Sequence, residues 1–243
     1  MPFYILPPRT DSAAANMADD LLMLERFPDP EAIRFRHYSW LNPAFTFGYS
    51  QKYDWARKIV GPDSIELCRR ATGGGLVDHR NDWTYGLVIP EGHELFREPV
   101  QTVYRTIHKS LRTAFELLGF SVTMAIADIS ENSSGTPRPF EAPTLCFDTA
   151  EPADLITRDG CLKVAGAALK RNRHGLLLQG SIEKSLAPAG MRWDLLQVQF
   201  ATEIAISLKS TGDLRKFDFP KVNSSSRVNE SARFASSKWN QRR

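Results

Sequence analysis

The sequence predicts an α+β domain built on a mixed β-sheet. Three observations carry that prediction. Short alternating runs rich in aromatic and β-branched residues recur along the chain, as in AIRFRHYSW and DWTYGLVIP. A few stretches instead repeat their apolar residues every three or four positions, the helical period. Several strand-like runs are joined by tight turns with no helix between them. At 243 residues the chain is long enough for one substantial core.

Taken in order, TDSAAANMADDLLMLERF (10–27) opens on helix-capping residues and sets Ala14, Met17, Leu21 and Leu24 on one face, so it predicts an amphipathic helix. Residues 32–40 and 44–51 read as two strands joined by a turn at Asn42-Pro43. SIELCRRA (64–71) runs as a strand into a glycine loop, and DWTYGLVIP (82–90) leaves that loop as another. Over 99–118, Val100, Val103, Ile107, Leu111, Phe115 and Leu118 line one helical face, and Gly119 stops the helix. A strand is expected over 121–127. Residues 128–145, with prolines, paired serines and no periodicity, read as a long loop, the kind that is functional or disordered. DLIT, LKVAGAAL and LLLQGSIE then read as strands separated by RDGC and RNRHG turns, and a helix is expected over 191–206. The expectation is one domain over 1–208 and, over 209–243, a polar, serine-rich, basic tail that is loosely held.

Composition is that of a soluble domain, with 42% hydrophobic and 24% charged residues. A net charge of +3 does not demand nucleic acid; a basic patch equally suits an acidic protein partner. No run of 18 apolar residues predicts a membrane span, and MPFYILPPRTDS lacks the basic n-region of a signal peptide. Cys68, Cys146 and Cys161 are too few for a disulfide framework and lack the CxxC spacing of a metal site. A reducing cytoplasm is the expected location.

Three constellations can carry chemistry. The first is RRATGGGLVDH (69–79): its glycines let the backbone approach a ligand, and Arg69 and Arg70 suit an anion. The contiguous glycines match neither GxGxxG nor a P-loop, and a plain turn between strands explains them equally well. The second is Cys146 in LCFDT, either a small buried hydrophobe between Leu145 and Phe147 or a reactive thiol at the end of the long loop. Cys68 and Cys161 are expected to be structural. The third is Lys163, a lysine among Leu, Val and Ala, with Gly166 and small residues leaving room beside it. It either polarises a bound carbonyl or phosphate or points to water from an edge strand. His79 is either a hydrogen-bonded structural residue or part of the same site.

In combination and order, WLNPAFTFGYSQ, RRATGGGLVDH, WTYGLVIP and LKVAGAALKRNRHGLLLQGSI resemble the lipoate–protein ligase, octanoyltransferase and biotin–protein ligase superfamily over roughly residues 10–185. The TGGGLVDH loop, in place of an arginine-rich one, is similar to the lipoate side. The resemblance implies a central mixed sheet flanked by helices, the catalytic-domain type of these ligases. It implies an octanoyl or lipoyl pocket lined by Gly73, Gly74, Gly75, Arg70, His79 and Gly166, with Lys163 at the acyl carbonyl or the adenylate phosphate. LCFDT resembles the motif of the ligase-like octanoyltransferases, which implies Cys146 as nucleophile. That branch implies no cofactor, octanoyl acyl carrier protein as donor, and a lipoyl domain or glycine-cleavage H-type protein as acceptor. The ligase branch instead implies ATP and Mg through an acyl-adenylate, and a non-catalytic paralogue would bind an acyl group or lipoylated partner. Neither nucleic acid nor membrane nor a bound metal is expected. Gln179 departs from the pattern, standing where the family commonly has histidine.

Overall fold

The computed structural model describes residues 1–126, 149–210, 214–216 and 224–242. The expected loop at 128–145, and Cys146 with it, lie outside them. The elements run β1 (Phe3–Ile5), β2 (Arg9–Asp11), α1 (Ala13–Glu25), β3 (Ile33–Trp40), β4 (Ala44–Phe47), α2 (Tyr53–Val60), β5 (Glu66–Arg69), β6 (Leu76–Asp78) and β7 (Asp82–Pro90). They continue with α3 (Val100–Leu117), β8 (Thr123–Met124), β9 (Leu155–Ile156), β10 (Lys163–Asn172), β11 (Gly175–Glu183), α4 (Trp193–Ser207), β12 (Arg215–Lys216), α5 (Ser224–Ala235) and α6 (Ser237–Asn240).

The main sheet has nine strands, ordered β12-β1-β3-β7-β11-β10-β9-β8 with β2 beside β3. Its pairs β1–β3, β1–β12 and β2–β3 are parallel and the rest antiparallel, so the sheet is mixed, as expected. A second sheet, β5-β4-β6, carries the glycine loop between β5 and β6.

Alternation along the central strands decides what sits where. On β11, Leu176, Leu178 and Ile182 face a core shared with Val103, Ile107, Leu111 and Phe115 of α3 and Leu196, Phe200 and Ile204 of α4. Leu177 faces the opposite side, where α1 contributes Met17, Leu21 and Leu24. The α1 helix starts where Ser12 accepts a hydrogen bond from the Ala15 amide at 3.3 Å. Between α1 and the small sheet, the main sheet stops being apolar: β11 presents Gln179 and Ser181, and β7 presents Thr84. Their register, Ser181 opposite Thr84 and Gly166 opposite Ser181, brings these polar and small residues onto one face.

The two strands expected over 32–40 and 44–51 are β3 and β4, and the Asn42-Pro43 segment between them bridges two sheets, β3 joining the main sheet and β4 the small one. Two expectations need correction. The strand expected over 121–127 shortens to two residues, because only Thr123 and Met124 find partners on β9. The loose tail expected after 209 is, over 224–242, a pair of packed helices. Arg227 of α5 donates to Asp19 at 2.7 Å and to Asp11 at 2.7 Å, and Phe234 is fully buried. Polar composition misleads there because a few residues anchor the helices, Phe234 in the core and Arg227 and Asn240 through polar bonds.

Candidate active site

A narrow cavity lies between the main sheet and the glycine loop. Arg70, Gly74, His79, Lys163 and Gly166 line it, together with Met17, Tyr38, Thr46, Thr84, Gln179 and Ser181. Five of the residues singled out from sequence therefore meet in one place.

The glycine loop is tied down from inside. Arg70, almost fully buried, donates to the Thr46 carbonyl and hydroxyl at 2.8 Å each. Its other terminal nitrogen donates to the carbonyls of Gly73 at 2.8 Å and Gly75 at 2.9 Å. So Gly73 and Gly75 serve through carbonyls turned onto Arg70, while Gly74, at φ 87°, is the glycine that faces the cavity. Gly74 presses on β4's end so closely that a Cβ on Gly48 would lie 1.9 Å from its carbonyl oxygen. A guanidinium this fully bonded acts as a post for the loop.

His79 is built in just as firmly. Its Nδ1 lies 2.7 Å from Asp82 Oδ2 and its Nε2 2.7 Å from the Thr46 hydroxyl, and Trp40 stacks on the ring at 4.0 Å. Asp82 also accepts from Thr84 at 2.8 Å and Ser181 at 2.6 Å. Burial alone would raise the Asp82 carboxyl, but the His79 charge and these hydrogen bonds outweigh it and hold it below its ordinary value. The carboxylate thus remains the acceptor, and Nδ1 carries the proton. His79 meets any occupant with its ring, since both nitrogens are engaged.

Lys163 begins β10 and points into the cavity beside Gly166. Its ammonium pairs with Asp154 at 2.7 Å, both side chains being 8% exposed. A Cβ on Gly166 would lie 2.5 Å from Lys163 Cε and 3.0 Å from Asp154 Oδ1, so the missing side chain is the space that the pair occupies. Asp154 is held by the Glu151 amide at 2.7 Å. It follows Ala153, whose φ of 77° is sustained by bonds to Ala125 and to the buried His108. Lys163 is therefore no solvated edge residue, but a cation fixed at the cavity wall.

Gln179 closes the cavity on the α1 side. It accepts from the Thr72 hydroxyl at 2.7 Å and donates to Asp20 at 2.6 Å. Asp20 also takes bonds from Arg36 at 2.6 Å and Tyr38 at 2.9 Å, so a buried polar network joins the sheet, α1 and the loop. Sequence reasoning missed Thr46, Asp82 and Asp154. Asp154 was the most findable, as an acid opening the strand run that precedes LKVAG.

In fold, the chain aligns with the crystal structure of lipoate-protein ligase A bound with ATP, covering 99% of each chain at a TM-score of 0.73 and 17% identity. It aligns likewise with an archaeal bi-partite lipoate protein ligase from Thermoplasma acidophilum, described with its E2 lipoyl domain. That match has a TM-score of 0.70 and 16% identity, and covers 99% of this chain and 96% of that one. In sequence, octanoyltransferase LipM of Oceanobacillus iheyensis is 33% identical over 190 residues. In sequence the chain is therefore similar to octanoyltransferases, and in fold to lipoate–protein ligases. That alignment covers 76% of this chain but 64% of the relative, so the chain spans just under two thirds of its length. The LipM of Macrococcus caseolyticus is 31% identical over 70% of this chain and 62% of its own. No family model matches the chain. Among the described residues, no helix is long and apolar enough to cross a membrane.

Proposed function

We propose that the chain moves an octanoyl or lipoyl group from acyl carrier protein, through a thioester on Cys146, to a lysine of a lipoyl domain or glycine-cleavage H-type protein. One observation carries this reading. The buried Lys163–Asp154 pair stands in a narrow cavity, in a chain 33% identical to an octanoyltransferase over 190 residues. Cys146 enters from sequence alone, as the cysteine of LCFDT.

In the first half-reaction the Cys146 thiolate attacks the acyl carbonyl carbon. The bond to the carrier's sulfur breaks, and the departing thiolate takes up a proton. In the second, a neutral lysine amine attacks the acyl-enzyme, an amide forms, and the carbon–sulfur bond to Cys146 breaks. The amine's proton is released as the Cys146 thiolate leaves. Each attack gathers negative charge on the carbonyl oxygen, the charge that the fixed Lys163 ammonium stabilises. Asp154 keeps that ammonium in place. Exchange of one thioester for another is close to balanced and needs no ATP, and a reducing compartment keeps the thiol available.

The fold likeness to an ATP-bound ligase supports a second reading, transfer of free acid through an acyl-adenylate with ATP and Mg. Incubation with octanoyl acyl carrier protein, with and without ATP and magnesium, separates the two by intact mass. An enzyme adduct that forms without ATP and is lost in Cys146→Ala supports the transferase. Modification of an acceptor domain by free octanoate only with ATP supports the ligase. An adduct that persists in Cys146→Ala rules out Cys146 as the nucleophile.

A further inference from the structure

The C-terminal helices meet the strand that feeds the glycine loop at Cys68, which packs on Phe234, and at Arg69, which they satisfy on three sides. β5 lies at the edge of its sheet, so the Arg69 N–H faces away from β4 with no strand to take it. Asn240 takes it: its Oδ1 accepts from the Arg69 amide at 2.7 Å, as a neighbouring strand's carbonyl would. The Asn240 carbonyl accepts from Arg69 Nη2 at 2.8 Å, and Trp239 Nε1 donates to the Arg69 carbonyl at 2.9 Å. Asn240 is itself oriented, since its Nδ2 donates to the Phe234 carbonyl at 2.7 Å and the Ser236 carbonyl at 3.2 Å.

From Arg69 the connection runs on into the cavity wall. Its Nη1 donates to the carbonyls of Tyr49 at 2.5 Å and Gln51 at 2.7 Å. The Tyr49 amide donates to the Thr72 carbonyl at 2.8 Å, and Thr72 holds Gln179. The residue after Arg69 is Arg70, the post on which the Gly73 and Gly75 carbonyls rest.

We propose that Asn240 is a positioning residue: by fixing Arg69, the C-terminal helix pair sets the glycine loop against the sheet and so sets the shape of the cavity. What the cavity holds rests on the acyl-transfer reading; the mechanical link does not. An edge strand that loses an outer hydrogen bond opens more readily, whereas β7 and β11 are paired on both sides and stay closed.

The test uses the full chain as Asn240→Ala, Asn240→Asp and Trp239→Phe, with the exposed Lys238→Ala as control. Amide hydrogen exchange is followed by mass spectrometry, and free octanoate is titrated by calorimetry. Asn240→Ala is expected to speed exchange across residues 66–77 roughly ten-fold, with β7 and β11 unchanged, and to weaken octanoate binding by about the same factor. Asn240→Asp keeps the acceptor for the Arg69 N–H but loses the Nδ2 donor to the Phe234 and Ser236 carbonyls, so it gives a rise in the same segment no larger than that of Asn240→Ala. Trp239→Phe, which deletes one hydrogen bond and keeps the ring, gives a smaller rise in the same segment, and it decides the matter should Asn240→Ala not fold. Exchange at 66–77 that stays at the wild-type rate, or a rise spread evenly over both sheets, overturns the proposal. Wild-type protein that takes up no octanoate counts against the acyl reading, and the exchange pattern still judges the brace.

Discussion

Gly166 separates what the fold needs from what the chemistry needs. An alanine there would put its Cβ 2.5 Å from Lys163 Cε and 2.8 Å from Nζ, the far end of a flexible side chain. The chain can yield by swinging the lysine away, so Gly166→Ala is expected to fold with a melting temperature within a few degrees of wild type. The ammonium, however, would lose the place proposed for it beside the acyl carbonyl. A displacement of about 1 Å at a reacting centre costs on the order of a hundred-fold in rate. Single-turnover acyl transfer should fall by about that much. A variant that keeps both stability and rate would place the reacting carbonyl elsewhere than at Lys163.

At the scale of elements, the glycine loop makes a paired prediction. A Cβ on Gly48 would strike the Gly74 carbonyl at 1.9 Å, backbone against backbone, whereas one on Gly73 meets nothing within 4 Å. Gly48→Ala should therefore displace the loop, lower the melting temperature by several degrees and abolish octanoate binding. Gly73→Ala should leave both nearly as they are, although Gly73 belongs to the conspicuous GGG run. Thermal melts and calorimetry on the two variants check this, and equal damage from both would refute the contact picture. The contrast also marks how far the sequence could be read. Elements with a long internal period were legible: the strand expected over 82–90 is β7, and the helix expected over 99–118 is α3. The meeting of Arg70, Gly74, His79, Lys163 and Gly166 was legible only through the resemblance of whole motifs. The three-residue strands β1 and β2, the eight-residue α2 and the C-terminal helices were not assigned, because their stability comes from distant partners. Thr46 and Asn240 were illegible for the same reason, each gaining its role from a pairing made only when the chain closes.

Across the whole molecule, burial of imidazoles predicts how stability responds to acid. His37 stacks on Trp83 at 4.2 Å and lies 2.9 Å from the Thr84 carbonyl. Burial dominates its ionisation, outweighing that carbonyl, and pushes it down to about 4. In the unfolded chain a histidine titrates near 6.5, so between those values the unfolded state binds more protons than the folded one. The contribution is complete above about pH 6.5 and is lost as the pH falls towards 4. At about 1.4 kcal/mol per unit, the loss attributable to His37 is at most about 3.5 kcal/mol. His108, buried against the Ala153 carbonyl, is also held below its ordinary value and acts in the same direction. Asp82 works lower down: its depressed carboxyl contributes above about pH 4 and fails as the pH drops through its folded value. Urea unfolding at pH 7.5 and pH 5 should therefore show a clear loss of stability at the lower pH. His37→Phe keeps an aromatic ring over Trp83 and removes the titrating group, so it should flatten that difference by about 1–3 kcal/mol while costing stability at pH 7.5 through the lost Thr84 contact. An unchanged pH difference in His37→Phe would assign the acid sensitivity between pH 7.5 and 5 to His108 of α3.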